Sequence, residues 1–117
     1  MEIVGLGGSA FERALAHFQG GGAVTYRGMT LVLRPAEFAC TIPWTDAGEA
    51  PSARRALALL LRARFQLGAL LASAPPLAAA VGNREPRLVL VDDVEADRPR
   101  DGRAELFELR GDRLRRL

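Results

Sequence analysis

Hydrophobic residues recur at helical spacing near the start of the chain. Phe11, Leu15 and Phe18 fall on one side of a helix with about 3.6 residues per turn. They follow the capping box Ser9–Glu12, in which a serine and a glutamate side chain can bond the first free amides of a helix. Three consecutive glycines come after them and form a natural helix stop. The pattern predicts a short helix over Ala10–Gln19.

The spacing then changes to alternation at every second residue, which is typical of β-strands. A later run, Arg87–Val91, is almost wholly apolar, as in strands that are buried on both faces. The turn-forming pair Gly111-Asp112 predicts a closing hairpin. The predicted strands are Ala23–Arg27, Met29–Arg34, Glu37–Trp44, Arg87–Val91, Ala104–Arg110 and Arg113–Leu117.

A second helical pattern lies between the third and fourth predicted strands. Ser52 can cap a long helix that runs to about Ala72, because Pro75 and Pro76 cannot continue it. The segment Leu77–Val81 predicts one more helical turn. Separate groups of strands and helices favour an α+β fold, with the helices on one face of a mostly antiparallel sheet.

The whole chain, 1–117, has the usual size of a single domain. Within it we expect a flexible lead at 1–8, a charged and mobile connection at 92–103, and a basic tail at 110–117. The start of the chain has no signal-peptide pattern and one cysteine cannot form an internal disulfide, so we expect a cytoplasmic protein. The uncharged stretch 65–83 is rich in alanine and interrupted by two prolines, so we expect no membrane span.

All sixteen basic residues are arginine, and lysine is absent. Because asparagine and isoleucine are also scarce, GC-rich codons of a bacterial source explain this choice better than guanidinium chemistry does. The absence of lysine excludes Schiff-base and Walker-type lysine chemistry. With one histidine and one cysteine besides, the composition predicts a protein that is not an enzyme and needs no metal and no cofactor.

Three features resemble functional motifs without their usual context. Gly5–Ala10 imitates a dinucleotide-binding fingerprint, but only four residues precede it and antiparallel hairpins follow it. His17 lies near a helix end, where a lone histidine is usually a surface residue or a partner of the helix dipole. Cys40 lies in an apolar strand, where a free cysteine behaves as a small hydrophobic residue.

The long helix carries four arginines and no acidic residue. When Arg55 is set at zero and each residue adds about 100°, Arg64 falls at about 180°, in the middle of the leucine-rich side. We take that side, formed by Leu57, Leu60, Leu61, Leu67 and Leu71, as the core face. An arginine there either pairs within the chain or packs against a partner, and both alternatives stay open.

Leu59 and Leu70 widen the apolar surface of this helix beyond what one sheet needs. We therefore expect a protein partner, such as an effector segment, a complex subunit or a second copy in a homodimer. The predicted interface comprises Arg64, Leu60, Leu67, Leu71, Leu59, Leu70 and Trp44.

Two other functions use the arginines differently. A small accessory subunit of an enzyme could hold an anionic ligand with Arg27, Arg34 or Arg87. A weak nucleic-acid-binding domain could use the arginines of the basic tail. That tail lacks the aromatic residues and the broad basic face of most such domains, so nucleic acid is the less favoured partner.

The order of elements resembles the class I chaperones of type III secretion, the Tir-chaperone family. The resemblance covers about residues 9–110, from Phe11–Phe18 through Phe38–Trp44 and Ala53–Ala72 to Leu88–Val91. It implies a small bacterial α+β protein that forms dimers and holds an unfolded effector segment along its surface. The chain departs from that family in being basic, since its net charge is +2.

Overall fold

A computed structural model describes residues 2–3, 8–45, 50–92 and 104–117, which form an α+β fold. The long helix begins where Ser52 predicts, because the Ser52 hydroxyl accepts a hydrogen bond from the Arg55 amide at 3.2 Å. The elements in chain order are α1 (Gly8–Gln19), β1 (Val24–Tyr26), β2 (Met29–Leu33), β3 (Phe38–Trp44), α2 (Ala53–Ser73), α3 (Pro75–Val81), β4 (Pro86–Asp92), β5 (Glu105–Arg110) and β6 (Arg113–Arg116).

The strands form one sheet in the order β1-β2-β3-β4-β5-β6. All neighbours are antiparallel except β3 and β4, which are parallel from the pair Phe38 and Pro86 to the pair Trp44 and Asp92. Parallel neighbours need a crossover connection, and α2 and α3 lie in that connection. The predicted mostly antiparallel sheet is thus confirmed, with one parallel pair at its centre.

The main core lies between the sheet and the helices. Alternate residues of β3 point to it, including Phe38 and Cys40, and the ring of Phe38 meets that of Phe18 edge-on with centroids 5.9 Å apart. The predicted burial of β4 on both faces is also confirmed, because Leu88 to Val91 are all buried. Within that strand only Leu88 and Leu90 belong to the core under the helices.

The start of the first helix and the segments outside the main elements differ in detail from the prediction. The first helix begins at Gly8 rather than Ala10, so Ser9 lies inside it and not at its cap. Of the expected lead 1–8, the structure describes residues 2, 3 and 8. Ile3 is buried, and its amide donates to the Thr25 carbonyl at 2.8 Å.

The expected connection at 92–103 lies outside the described residues except for Asp92, which ends β4. The basic tail at 110–117 includes all of β6.

The buried face of α2 is not the one that its leucines alone predict. Its buried residues are Ala56, Leu60, Ala63, Leu67 and Leu70. Around the helix axis, the middle of this buried set lies about 100° from Arg55. The predicted middle of the core face, at Arg64, lies about 180° from Arg55, so the two differ by roughly 80°.

The alanines explain this difference. Ala56 and Ala63 are small, so the helix can lie close to the sheet with Leu60 and Leu67 beside them. A prediction that counts only large apolar residues ignores the close packing that alanine allows. The expectation that Leu61 belongs to the core face was wrong, because its side chain is 39% exposed.

Adjacent leucines test this orientation of α2. We expect Leu60→Ala to lower the free energy of unfolding by about 3 kcal/mol, because Leu60 is fully buried and its removal leaves a cavity. Leu61→Ala should lower it by less than about 1 kcal/mol. Urea denaturation of both variants measures the difference, and equal losses would mean that the helix is turned differently.

Candidate functional site

Arg64 is held within the chain. One of its guanidinium N–H groups donates to the Gly111 carbonyl at 2.7 Å, which links α2 to the turn between β5 and β6. The side chain lies at the flank of the buried face and is half-buried. The hydrogen bond offsets part of the penalty for taking a charge out of water. Of the two alternatives for Arg64, the structure therefore shows the intrachain one.

The other residues of the predicted interface lie in or against the core of this chain. Leu60, Leu67, Leu70 and Trp44 are buried, and the guanidinium of Arg55 lies 5.0 Å from the centre of the Trp44 ring. Leu59 and Leu71 are half-buried and pack against the same core. A partner could not reach the four buried side chains without opening the core. A docking surface on α2 therefore requires a different side of the helix.

The opposite side of α2 is apolar and exposed. The Phe65 side chain is 79% exposed and lies one turn after Leu61. We call this surface the outer face of α2; it consists of Ala58, Leu61, Phe65, Gly68, Ala69 and Ala72, all exposed. Among the described residues, α2 is also the helix whose length and composition would suffice to cross a membrane. Sequence reasoning missed Phe65, although counting the alanines as core residues would have turned it outward.

Gly68 lies in the outer face without a structural reason inside this chain. A Cβ atom added there would meet nothing within 4 Å, and its φ lies outside the range that favours glycine. Alanine at an exposed helix interior is more favourable than glycine by about 1 kcal/mol. Glycine does allow another backbone or a large side chain to come close to the helix axis.

The face of the sheet away from the helices carries a cluster of five charged side chains, here called the ion cluster. It consists of Glu37, Arg87, Glu105, Glu108 and Arg110. Arg87 donates to Glu108 and, at 3.1 Å, to Glu105. Arg110 donates to Glu108 at 3.1 Å and to Glu37 at 3.0 Å.

Glu108 is the buried member of the ion cluster, with 7% of its surface exposed. The hydrogen bond from Arg87 lowers the pKa of the Glu108 carboxyl, and this effect outweighs the opposite effect of burial. Burial alone would lower the pKa of Arg87, but the bonds to Glu105 and Glu108 raise it. Arg87 is thus engaged by carboxylates and is a poor site for an anionic ligand.

The other two arginines of the anion hypothesis line separate cavities. Arg34 borders a cavity of about 270 Å³ together with Arg84. The Arg84 guanidinium already donates to the carbonyls of Pro35, Ala80 and Val81.

The second cavity, of about 230 Å³, is lined by two arginines, and neither donates a hydrogen bond to a carbonyl of the described residues. Arg27 reaches it from the turn between β1 and β2, and Arg62 reaches it from α2. Neither makes an ion pair with any residue that the structure describes. The Arg27 guanidinium lies 5.7 Å from the centre of the Tyr26 ring.

His17 and Cys40 are in unlike surroundings. Burial raises the pKa of the Cys40 thiol to about 12, so it stays protonated at neutral pH and is a poor nucleophile. His17 is exposed, and its ring covers Gly22, where any Cβ atom would collide with it.

In the described part of the chain, no group of three or more His, Cys, Asp or Glu side chains could hold a metal ion. Half of the glycine-rich Gly5–Ala10 segment, residues 5–7, lies outside the described residues.

No protein-family model, no curated protein and no solved structure matches this chain. The resemblance to secretion chaperones therefore stays a prediction. Within the described residues, the outer face of α2 and the cavity at Arg27 are surfaces that the packing of this chain does not require.

The ion cluster predicts how stability changes with pH. Because the pKa of Glu108 is lower in the folded chain than its ordinary value of 4.5, its contribution is complete above that value and is lost as the pH falls through the folded pKa. We expect Glu108→Gln to lower the free energy of unfolding at pH 7 by about 2 kcal/mol. The variant should also lose less stability than the parent protein between about pH 5 and pH 3.

Urea denaturation at several pH values measures both effects. Glu12→Gln is the matched control, because Glu12 is exposed on α1 and should leave stability nearly unchanged. Parallel stability curves for the Glu108 variant and the parent protein would contradict the assignment.

Proposed function

We propose that this chain is a non-enzymatic protein-interaction module that acts as a homodimer joined through the outer face of α2. The observation that carries the proposal is the exposure of Phe65 in the middle of an apolar helix surface. Single exposed apolar residues are common on monomers, but a continuous apolar strip on one helix is typical of an interaction surface.

The sizes of the exposed residues favour a second copy of the same helix. In an antiparallel pair, a register that sets Phe65 opposite Gly68 of the other copy also sets Leu61 opposite Ala72. Each large side chain then meets a small residue, and two-fold symmetry gives every contact twice. A parallel pair would instead set Phe65 against Phe65. The glycine at position 68, which the isolated chain does not need, then has a use.

The charges of α2 favour the same arrangement. All four arginines precede Phe65, and the residues from Phe65 to the end of the helix are uncharged. An antiparallel pair puts the arginine-bearing half of one helix beside the uncharged half of the other. In that register Arg62 comes level with Leu71 of the partner, in the last turn of the partner's helix, where the helix dipole is negative.

A homodimer of this kind suits a cytoplasmic secretion chaperone or a subunit of a larger complex. The α+β fold is compatible with the family resemblance, and the buried Cys40 gives no support to a catalytic role. The two-fold assembly would keep the sheet face with the ion cluster outward. That face would be available to a second protein.

Removal of Phe65 tests the proposal. We expect the protein to sediment as a dimer with a micromolar dissociation constant, because one phenylalanine and one leucine per subunit give an interface at the small end of the usual range. Phe65→Ser should give a monomer over the same concentrations, and at concentrations where the parent protein is also monomeric it should have the same thermal stability, since the side chain is exposed in the isolated chain. Sedimentation velocity from about 5 to about 200 µM spans the expected range.

Two further variants make the test specific. Leu117→Ser removes a leucine that is 42% exposed outside α2 and should leave the dimer intact. The double variant Phe65→Gly with Gly68→Phe exchanges the large and the small position, and it should restore the dimer that Phe65→Ser loses. A monomeric parent protein at the highest concentration would refute the homodimer. Binding of the parent protein to anionic vesicles through Phe65 would instead assign the outer face to a membrane surface.

A further inference from the structure

The cavity between the turn joining β1 to β2 and the middle of α2 is open because β3 extends beyond its neighbour. Pairing of β2 with β3 ends at Thr30 and Thr41, whereas β3 continues to Trp44. Pro43 lies in that extension and has no N–H group to continue the pairing. The space between the turn and the end of β3 is closed below by α2 and has a volume of about 230 Å³.

The charged side chains that line this cavity are both positive, and a neutral amide lies beside them. Arg62 and Gln66 are one helical turn apart on α2, so both can lean over the same side of the cavity. Arg27 faces them from the turn. Of the described residues that line the cavity, none is acidic. The two guanidinium groups and the amide therefore form a set of hydrogen-bond donors that suits a carboxylate.

The lower wall of the cavity is apolar. Met29 and Ala63 are buried, and Ile42 and Leu59 are half-buried and pack against the core. A ligand that only carried charge would leave this wall in contact with water. A ligand with a short aliphatic chain would cover it.

The backbone at Arg27 gives independent support for a role of its side chain. Arg27 has a φ of 46° and Gly28 a φ of 81°, as in a tight hairpin turn that favours Asn-Gly. Among the described residues, Arg27 is the non-glycine residue with a positive φ. An arginine in this conformation is strained, and strained residues that persist often serve a site. The turn presents its guanidinium at the mouth of the cavity.

We propose that this cavity binds a small monocarboxylate with a short aliphatic chain, held by Arg27, Arg62 and Gln66 at the carboxylate and by Met29, Ile42 and Leu59 along the chain. At about 30 Å³ for each water-sized group, the cavity holds roughly seven or eight non-hydrogen atoms. Hexanoate has that size. This site is separate from the outer face of α2, and the proposal does not depend on the homodimer.

Titration of the full-length protein with hexanoate, followed by NMR of its backbone amides, tests the proposal. We expect shifts at residues 27–29 and 62–66, and binding at least about tenfold tighter than that of acetate, which lacks the chain. 1-Hexanol, which lacks the carboxylate, should not bind. Acetate binding as tightly as hexanoate would overturn the proposal, because the apolar wall would then contribute nothing.

Three variants complete the test. Arg27→Asn should weaken hexanoate binding about tenfold or more and yet raise the melting temperature, because asparagine accepts a positive φ more readily than arginine. Arg62→Gln should weaken binding to a similar extent, whereas Arg54→Gln, which removes an exposed arginine of α2 outside the cavity, should not. The proposal is overturned if hexanoate does not bind, or if it binds the Arg27 and Arg62 variants as tightly as the parent protein.

Discussion

The parallel pairing of β3 with β4 is the constraint on which the arrangement of the other elements depends. The two strands match residue for residue along their whole length, and β4 is buried on both faces. Because parallel neighbours cannot be joined by a tight turn, the chain between them has to cross the sheet. That crossing brings α2 over the core and leaves one side of this helix facing outward. Both candidate surfaces of the molecule border α2.

Burial on the sheet uses a narrower part of α2 than its composition suggests. The contact depends on the alanines at 56 and 63, which let the helix lie close, and on the leucines beside them. The apolar residues of the outer face, above all Phe65, are exposed and do not belong to this core. The same geometry turns Arg62 toward the cavity at Arg27, so one helix contributes to the core, to the outer face and to the proposed ligand site.

Most of the fold follows from local patterns in the sequence, whereas the orientation of α2 does not. Alternation and turn residues locate every strand to within two residues, and Ser52 marks the start of α2. The face that α2 buries depends on close packing of small residues, which hydrophobicity alone does not reveal. For the same reason, hydrophobicity alone puts Arg64 at the centre of the buried side and does not turn Phe65 outward. The ion cluster joins residues of three separate segments, so no local pattern predicts it.

In the proposed homodimer, the outer face of α2 binds a second copy of this chain in antiparallel register. A sample that mixes isotope-labelled and unlabelled protein isolates the nuclear Overhauser effects between subunits. We predict effects from the Phe65 ring of one subunit to the Gly68 α-protons and the Ala72 methyl group of the other. If the Phe65 ring gives no nuclear Overhauser effect between subunits, Phe65 does not face a second copy. That result would contradict the antiparallel homodimer.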